Sequence, residues 1–267
     1  MLIDYSALDH PLLLNFIFYP RRDHTPCPSN AFDLSVKVEE EVQISCRFYM
    51  EHPRGPSILF FHGNGEVVSD YDEMAPFYHR RGINLVVSDY RGYGKSSGFP
   101  TLTSLYHDAP LIFQGVKDEL IQRGFRSDLW VMGRSLGSLS ALEIGRHFQK
   151  ELKGLIIESG FHCVTRILTH FGYPLNLNIS RIDQESLKRI GEIFLPTLII
   201  HGDRDQIVPI ENGQTIFQSI QSEDKEFLII PKANHNDIFW VGREKYLEAV
   251  QKFIERTDQP LTTRHTP

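Results

Sequence analysis

Short apolar runs recur along this chain, at 33–38, 42–49, 57–61, 84–88, 129–132, 155–157, 197–200 and 227–230. The acidic turn Glu39, Glu40, Glu41 joins the first two, which predicts a hairpin. The later runs scarcely alternate with polar residues, as in parallel strands covered on both faces. Helical spacing fills the segments 70–81, 103–123, 136–149, 210–220 and 238–254. Pro110 lies in the second of these and has no amide hydrogen to donate. It must sit in the first turns of that helix or kink it. Strand and helix alternate, so the pattern predicts an α/β fold: a mostly parallel sheet with right-handed crossovers, flanked by helices. Residues 159–195 form a longer interval with room for two short helices. They read as a small cap insertion within a single domain spanning 1–267.

Composition narrows the options. Hydrophobic residues make up 41% and charged residues 23% of 267 positions, which suits an ordinary globular core. A net charge of −6 argues against a nucleic-acid partner. Cys27, Cys46 and Cys163 are far apart, odd in number and without metal-like spacing. They predict buried small hydrophobes in a reducing, cytoplasmic setting, with no disulfide framework. The apolar stretch from Leu12 to Tyr19 is too short to span a bilayer. Asp4 and Asp9 precede it, and no basic segment does, so it does not read as a signal peptide. It is expected to pack against the body, with peripheral membrane contact as the alternative. The polar residues 259–267 are expected to fray.

In a parallel sheet, sites form at the carboxyl ends of strands, so the loops there carry the candidate chemistry. Gly133-Arg134-Ser135-Leu136-Gly137 matches G-x-S-x-G. The motif alone recurs by chance, but here it follows a strand directly and opens a helix directly, as a nucleophile elbow requires. Ser135 is the candidate nucleophile. The competing reading is a serine N-cap on a Gly-rich turn. A serine hydroxyl needs a base, and His235 follows the last apolar run after a short loop. His62 and His201, each before a glycine at a strand end, read as structural histidines that shape their loops.

The acid should fall between nucleophile and base. His201-Gly202-Asp203-Arg204-Asp205 offers two carboxylates at the end of a strand. Asp205 is the candidate, Asp203 is expected to bind backbone amides, and Glu158 is the alternative acid. An oxyanion site needs two aimed backbone N–H groups. Leu136 follows the nucleophile and supplies one candidate. Asn64, in His62-Gly63-Asn64-Gly65 after the third run, supplies the other, unless that segment is an ordinary Asn-Gly turn. Phe161, Val164, Phe171, Tyr173, Phe239 and Trp240 are candidates for an acyl pocket, although aromatics more often simply pack a core. Gly94-Lys95-Ser96 imitates the end of a P-loop, but position 89, where its first glycine belongs, is Asp89. No metal motif is evident and no cofactor is required.

These segments, with Ser88-Asp89-Tyr90-Arg91-Gly92-Tyr93-Gly94-Lys95-Ser96, together resemble the α/β-hydrolase superfamily over about residues 33 to 256. The Asp-Tyr-Arg-Gly-Tyr-Gly-x-Ser run and short cap look most like its minimally capped branch. That branch holds bacterial esterase-like proteins and eukaryotic enzymes that remove palmitoyl groups from proteins. The resemblance implies an eight-stranded sheet with its second strand antiparallel. It also implies Ser135, Asp205 and His235 as a triad, with oxyanion amides at Asn64 and Leu136. The chain departs from some relatives in having no evident transmembrane anchor and no run of cysteines near the N-terminus. The expected activity is hydrolysis of a carboxylic ester or thioester of a small-molecule or acyl-group substrate. The alternatives are an aminopeptidase-like amide hydrolase, or a non-catalytic binding protein on the same fold.

Overall fold

All eight apolar runs form strands. They are β1 (Ala31–Lys37), β2 (Gln43–Tyr49), β3 (Ser57–Phe61), β4 (Asn84–Ser88), β5 (Leu129–Arg134), β6 (Leu152–Glu158), β7 (Thr197–Gly202) and β8 (Lys225–Ile230). The computed structural model describes residue 5, residues 8–173 and residues 179–258. The expected fraying of 259–267 lies outside them. The strands make one sheet in the order β1-β2-β4-β3-β5-β6-β7-β8. Strand β2 runs antiparallel to β1 and β4, and the remaining pairs are parallel. The chain leaves β3 toward β4 on one side, then returns to place β5 on the other. The carboxyl ends of β3 and β5 therefore bound a switch point, where a crevice opens in sheets of this kind.

Each inner strand sends alternate side chains into two cores. Leu59, Phe61, Val131 and Ile157 face one. Ile58, Phe60, Trp130 and Ile156 face the other. Burying one such side chain stabilises by about 1.5–3 kcal/mol, so continuous apolar runs are what a doubly covered sheet demands. Helices α3 (Leu102–Gln122) and α4 (Gly137–His147) cover the first face. The second is covered by α8 (Ile238–Asp258) through Leu247, Val250 and Phe253. Strand β8 departs from expectation. It lies at the sheet edge and leaves Ile229 41% exposed.

The helix expected over 70–81 is broken. A 3-10 turn over Val68–Tyr71 is followed by the short helix α2 (Ala75–His79). Pro76 has no amide hydrogen to donate back across the break, and it sits in the first turn of α2, where none is needed. The Asp70 carboxylate accepts the Val67 amide at 3.0 Å and caps the start of the 3-10 turn. In α3, Thr101 caps the start by accepting the Ser104 amide at 2.9 Å. Pro110 sits inside this helix, past its first turns.

Near the N-terminus, α1 (Pro11–Ile17) packs Leu13 and Ile17 against the body and leaves Leu12 and Phe16 outward. Asp9 accepts the Leu102 amide at 2.8 Å, fastening this segment to the start of α3. Between β6 and β7 lie α5 (Val164–His170) and α6 (Ile179–Ile190), the two short helices expected there. Helix α7 (Ile210–Ser219) follows β7. Among the described residues, no helix is long and apolar enough to cross a membrane.

Candidate active site

Strand β5 ends at Arg134, and the chain reverses through Ser135 into α4. Ser135 has φ 50°, a left-handed conformation rare for a residue with a side chain. This turn explains the flanking glycines. A Cβ on Gly133 would lie 2.3 Å from the Gly137 carbonyl oxygen. A Cβ on Gly137 would lie 2.1 Å from the Phe61 carbonyl oxygen at the end of β3. The helix can therefore approach the sheet closely only with glycine at both positions. Gly137→Ala is expected to destabilise the fold by about 3 kcal/mol through this backbone clash. In a chain of this size that lowers Tm by roughly 6–12 °C. A thermal melt within 2 °C of wild type would contradict the steric account.

Two separate loops converge on the turn. The His235 Nε2 atom is 2.9 Å from Ser135 Oγ, and its Nδ1 is 2.7 Å from Asp205 Oδ2. All three side chains are buried. With its proton on Nδ1, the imidazole donates to Asp205 and accepts from the serine hydroxyl. Asp205 is itself held firmly, since its Oδ1 accepts the Ile207 and Val208 amides at 3.0 and 2.8 Å. Burial acts to raise the Asp205 carboxyl pKa. Hydrogen bonds from His201, His235 and the Val208 amide outweigh it and hold the carboxyl well below the usual carboxylate range.

The remaining candidates separate clearly. His201 bonds the Val208 carbonyl oxygen at 2.8 Å and bridges the turn that presents Asp205. His62 lies between the Gly63 carbonyl oxygen and Asp89, at 2.7 and 3.2 Å. Asp203 accepts the Lys232 amide at 2.6 Å. Glu158, the alternative acid, binds Arg134 Nε at 3.0 Å and accepts the Tyr246 hydroxyl at 2.5 Å. Its carboxylate thus serves other partners than the imidazole of His235.

Asn64 and Leu136 both line the cleft above Ser135. The Asn64 side chain is tied down. Its Oδ1 accepts the Tyr93 hydroxyl at 2.6 Å and the Tyr19 amide at 3.0 Å, and its Nδ2 donates to the Ile17 carbonyl oxygen at 2.5 Å. The conformation of the side chain is set by these bonds.

The cleft measures about 440 Å³, within the usual range for small-molecule sites. Phe161, Val164 and Phe171 line it as expected. Tyr173 does not. It rests against Phe16 with ring centroids 5.2 Å apart. Phe239 and Trp240 are also not lining residues and need correction. Phe239 is buried in the second core against Tyr78 and Tyr246, and Trp240 stacks edge-on to Phe77. Helix α8 starts just past the His235 loop and turns these rings toward α2, behind the sheet. The sequence reading overlooked Phe16, Ile17 and Tyr19 near the N-terminus and Ile167, Leu168, Ile207 and Val208 beside the other wall. The apolar stretch over Leu12 to Tyr19 was the available signal, but local pattern cannot say which surface it covers.

One charged residue also borders the cleft. Arg134, between Gly133 and the serine, is buried and pairs with Glu66 and Glu158. Burial opposes its charge, but these two glutamates keep the guanidinium firmly protonated. For Glu158, burial raises the carboxyl despite Arg134. For Glu66, burial also acts to raise the carboxyl, but Arg134, His62, the Tyr71 hydroxyl and the Gly63 amide together outweigh it and lower it.

This fold, with its crevice at the switch point, is that of an α/β hydrolase. The chain belongs to the hydrolase family described as "Serine aminopeptidase, S33", which it matches over residues 52–174 and 175–239. It is 27% identical to an uncharacterized protein of Mycobacterium tuberculosis over 249 residues, covering 90% of this chain and 86% of that one. It is 28% identical over 221 residues to alpha/beta hydrolase domain-containing protein 17B of Homo sapiens, covering 80% and 72%. Among solved structures, the Pyrococcus furiosus esterase Pf2001 superimposes with a TM-score of 0.72 at 21% identity, covering 89% of this chain and 98% of that one. The resemblance read from the motifs and the eight-stranded sheet it implied are both borne out.

Proposed function

We propose that this protein is a serine hydrolase that cleaves a carboxylic ester or thioester through an acyl-enzyme on Ser135. One observation carries the reading: the unbroken chain from Ser135 Oγ to His235 to Asp205, at 2.9 and 2.7 Å, beside an apolar cleft. His235 Nε2 takes the hydroxyl proton as Ser135 attacks the acyl carbon. The carbonyl oxygen becomes an oxyanion held by the amides of Asn64 and Leu136. Collapse expels the alcohol or thiol, which takes the proton from His235. Water then attacks the acyl-enzyme with the same base, releasing the carboxylic acid and restoring the serine. The segment 159–195 is the cap in this reading, within one domain: its residues Phe161, Val164, Ile167, Leu168 and Phe171 line the cleft, while 174–178 lie outside the described residues. The proposed chemistry uses these side chains, the two backbone amides and water. The three cysteines are free, which suits a reducing cytoplasm.

Phe16, Ile17, Phe161, Val164, Leu168 and Phe171 offer the acyl chain an apolar surface. Each methylene buried there contributes about 0.8 kcal/mol, or roughly fourfold in kcat/KM. With p-nitrophenyl esters from acetyl to palmitoyl, kcat/KM is expected to rise over the first several carbons and fall once the cleft is filled. A profile flat with chain length would remove the acyl-pocket assignment.

The family description also raises an aminopeptidase reading. Such an enzyme needs an acidic group to receive the substrate ammonium, and among the described residues none of those lining the cleft is acidic. Cleavage of aminoacyl-naphthylamides faster than of the best ester would reverse the preference.

A further inference from the structure

We propose that Arg134 is a positioning residue that locks the base loop and the oxyanion turn into one register. The proposal rests on the hydrolase reading above. Each nitrogen of its guanidinium is engaged. Nε donates to Glu158 Oε1 at 3.0 Å, and Nη1 to Glu66 Oε1 at 2.5 Å. Nη2 donates to the carbonyl oxygen of His235 at 2.8 Å and to Asn236 Oδ1 at 3.1 Å. The residue that sits next to the nucleophile in the chain thus grips the backbone of the base itself.

The glutamates extend that grip. Glu66 Oε2 accepts the Gly63 amide at 2.8 Å, one residue before the proposed oxyanion donor, and also the Tyr71 hydroxyl at 2.8 Å. Glu158 is anchored by Tyr246 from α8, and its own carbonyl oxygen accepts the Ser135 amide at 2.9 Å. Gly63 lies almost on the guanidinium: a Cβ there would be 2.2 Å from Arg134 Nη1. The loop after β3, the elbow after β5, the end of β6 and the loop after β8 therefore meet at one planar cation. Arginine suits this place because its rigid fork serves several directions at once, whereas a lysine ammonium is a single point on a flexible stem.

The fork does not touch the reacting atoms. Its loss is expected to let the His235 backbone and the Gly63–Asn64 turn drift while leaving the apolar cleft intact. In Arg134→Gln, kcat for p-nitrophenyl butyrate should fall about 10- to 100-fold, as sub-ångström misplacement does, with KM within about twofold of wild type. The rate of Ser135 labelling by a fluorophosphonate should fall in step. Arg134→Lys should restore less than about a tenth of the activity, since charge without the fork is insufficient. Glu66→Gln keeps the size of the side chain and weakens only the branch to the oxyanion turn. It should lose about 3- to 10-fold in kcat alone, and it carries the test if Arg134→Gln does not fold.

Wild-type kcat and labelling in the folded Arg134→Gln protein would overturn the proposal, as would wild-type kcat in Glu66→Gln if only that variant folds. A rise in KM at constant kcat would also overturn it by making Arg134 a substrate-binding group. If wild type labels normally and only the variants fail to slow, the hydrolase reading survives and the positioning role falls. If wild type itself neither labels nor turns over, the hydrolase reading falls and takes the proposal with it.

Discussion

Ser135→Ala is expected to lower kcat toward p-nitrophenyl butyrate by roughly 10⁴- to 10⁶-fold and to abolish fluorophosphonate labelling, with folding unchanged. In the proposed mechanism the hydroxyl is the atom that bonds to the acyl carbon, and neither the cleft nor the amides can replace it. Residual turnover above that of water should persist, since a preorganised oxyanion site and bound substrate remain. KM should change little, because the cleft walls that hold the acyl chain are untouched. Steady-state rates together with intact-mass detection of the adduct decide the matter. Wild-type turnover by the alanine variant would remove the serine from the chemistry.

The next largest effect is expected for Asp205→Asn. Its Oδ1 is fixed by the Ile207 and Val208 amides, so the new NH₂ group must occupy the place of Oδ2, 2.7 Å from His235 Nδ1. Two N–H donors would then face each other. The imidazole escapes this by moving its proton to Nε2, which leaves no lone pair for the serine hydroxyl. A fall in kcat of about 10⁴-fold is expected from the wrong tautomer. Retention of activity within about tenfold would exclude Asp205 as the acid.

The same substitution changes the acid response. A carboxyl depressed in the folded state contributes stability above its unfolded pKa, and that contribution is lost as pH falls through the folded value. Wild type should therefore lose stability on acidification from below the ordinary aspartate range, and Asp205→Asn should lose less. Denaturant midpoints between pH 5 and pH 2 would measure the difference.

The sheet was legible because its strands are buried on both faces. Nearly continuous apolar runs such as Ile58 to Phe61 have no other economical use. That Ser135, His235 and Asp205 meet was legible because each follows such a run, and strand ends in this topology point to one crevice. Phe239 and Trp240 misled because closeness in sequence to His235 says nothing about which way a new helix turns its first residues. Arg134 passed as filler at a variable motif position. Its partners Glu66 and Glu158 are distant in sequence, and only the fold brings them to the guanidinium. The helix over 70–81 divides for a local reason, since Pro76 lacks the amide hydrogen that would carry it across and starts a new helix instead.

The way Ile17 and Tyr19 fasten Asn64 has a practical corollary for anyone handling this chain. Residues ahead of the first strand are commonly trimmed or fused to affinity tags as expendable overhang. Here that stretch furnishes part of the cleft lining and steadies a loop beside Ser135. Shortening it by twenty residues would edit the reaction centre, and an inert recombinant product could reflect cloning boundaries while the enzyme itself is sound.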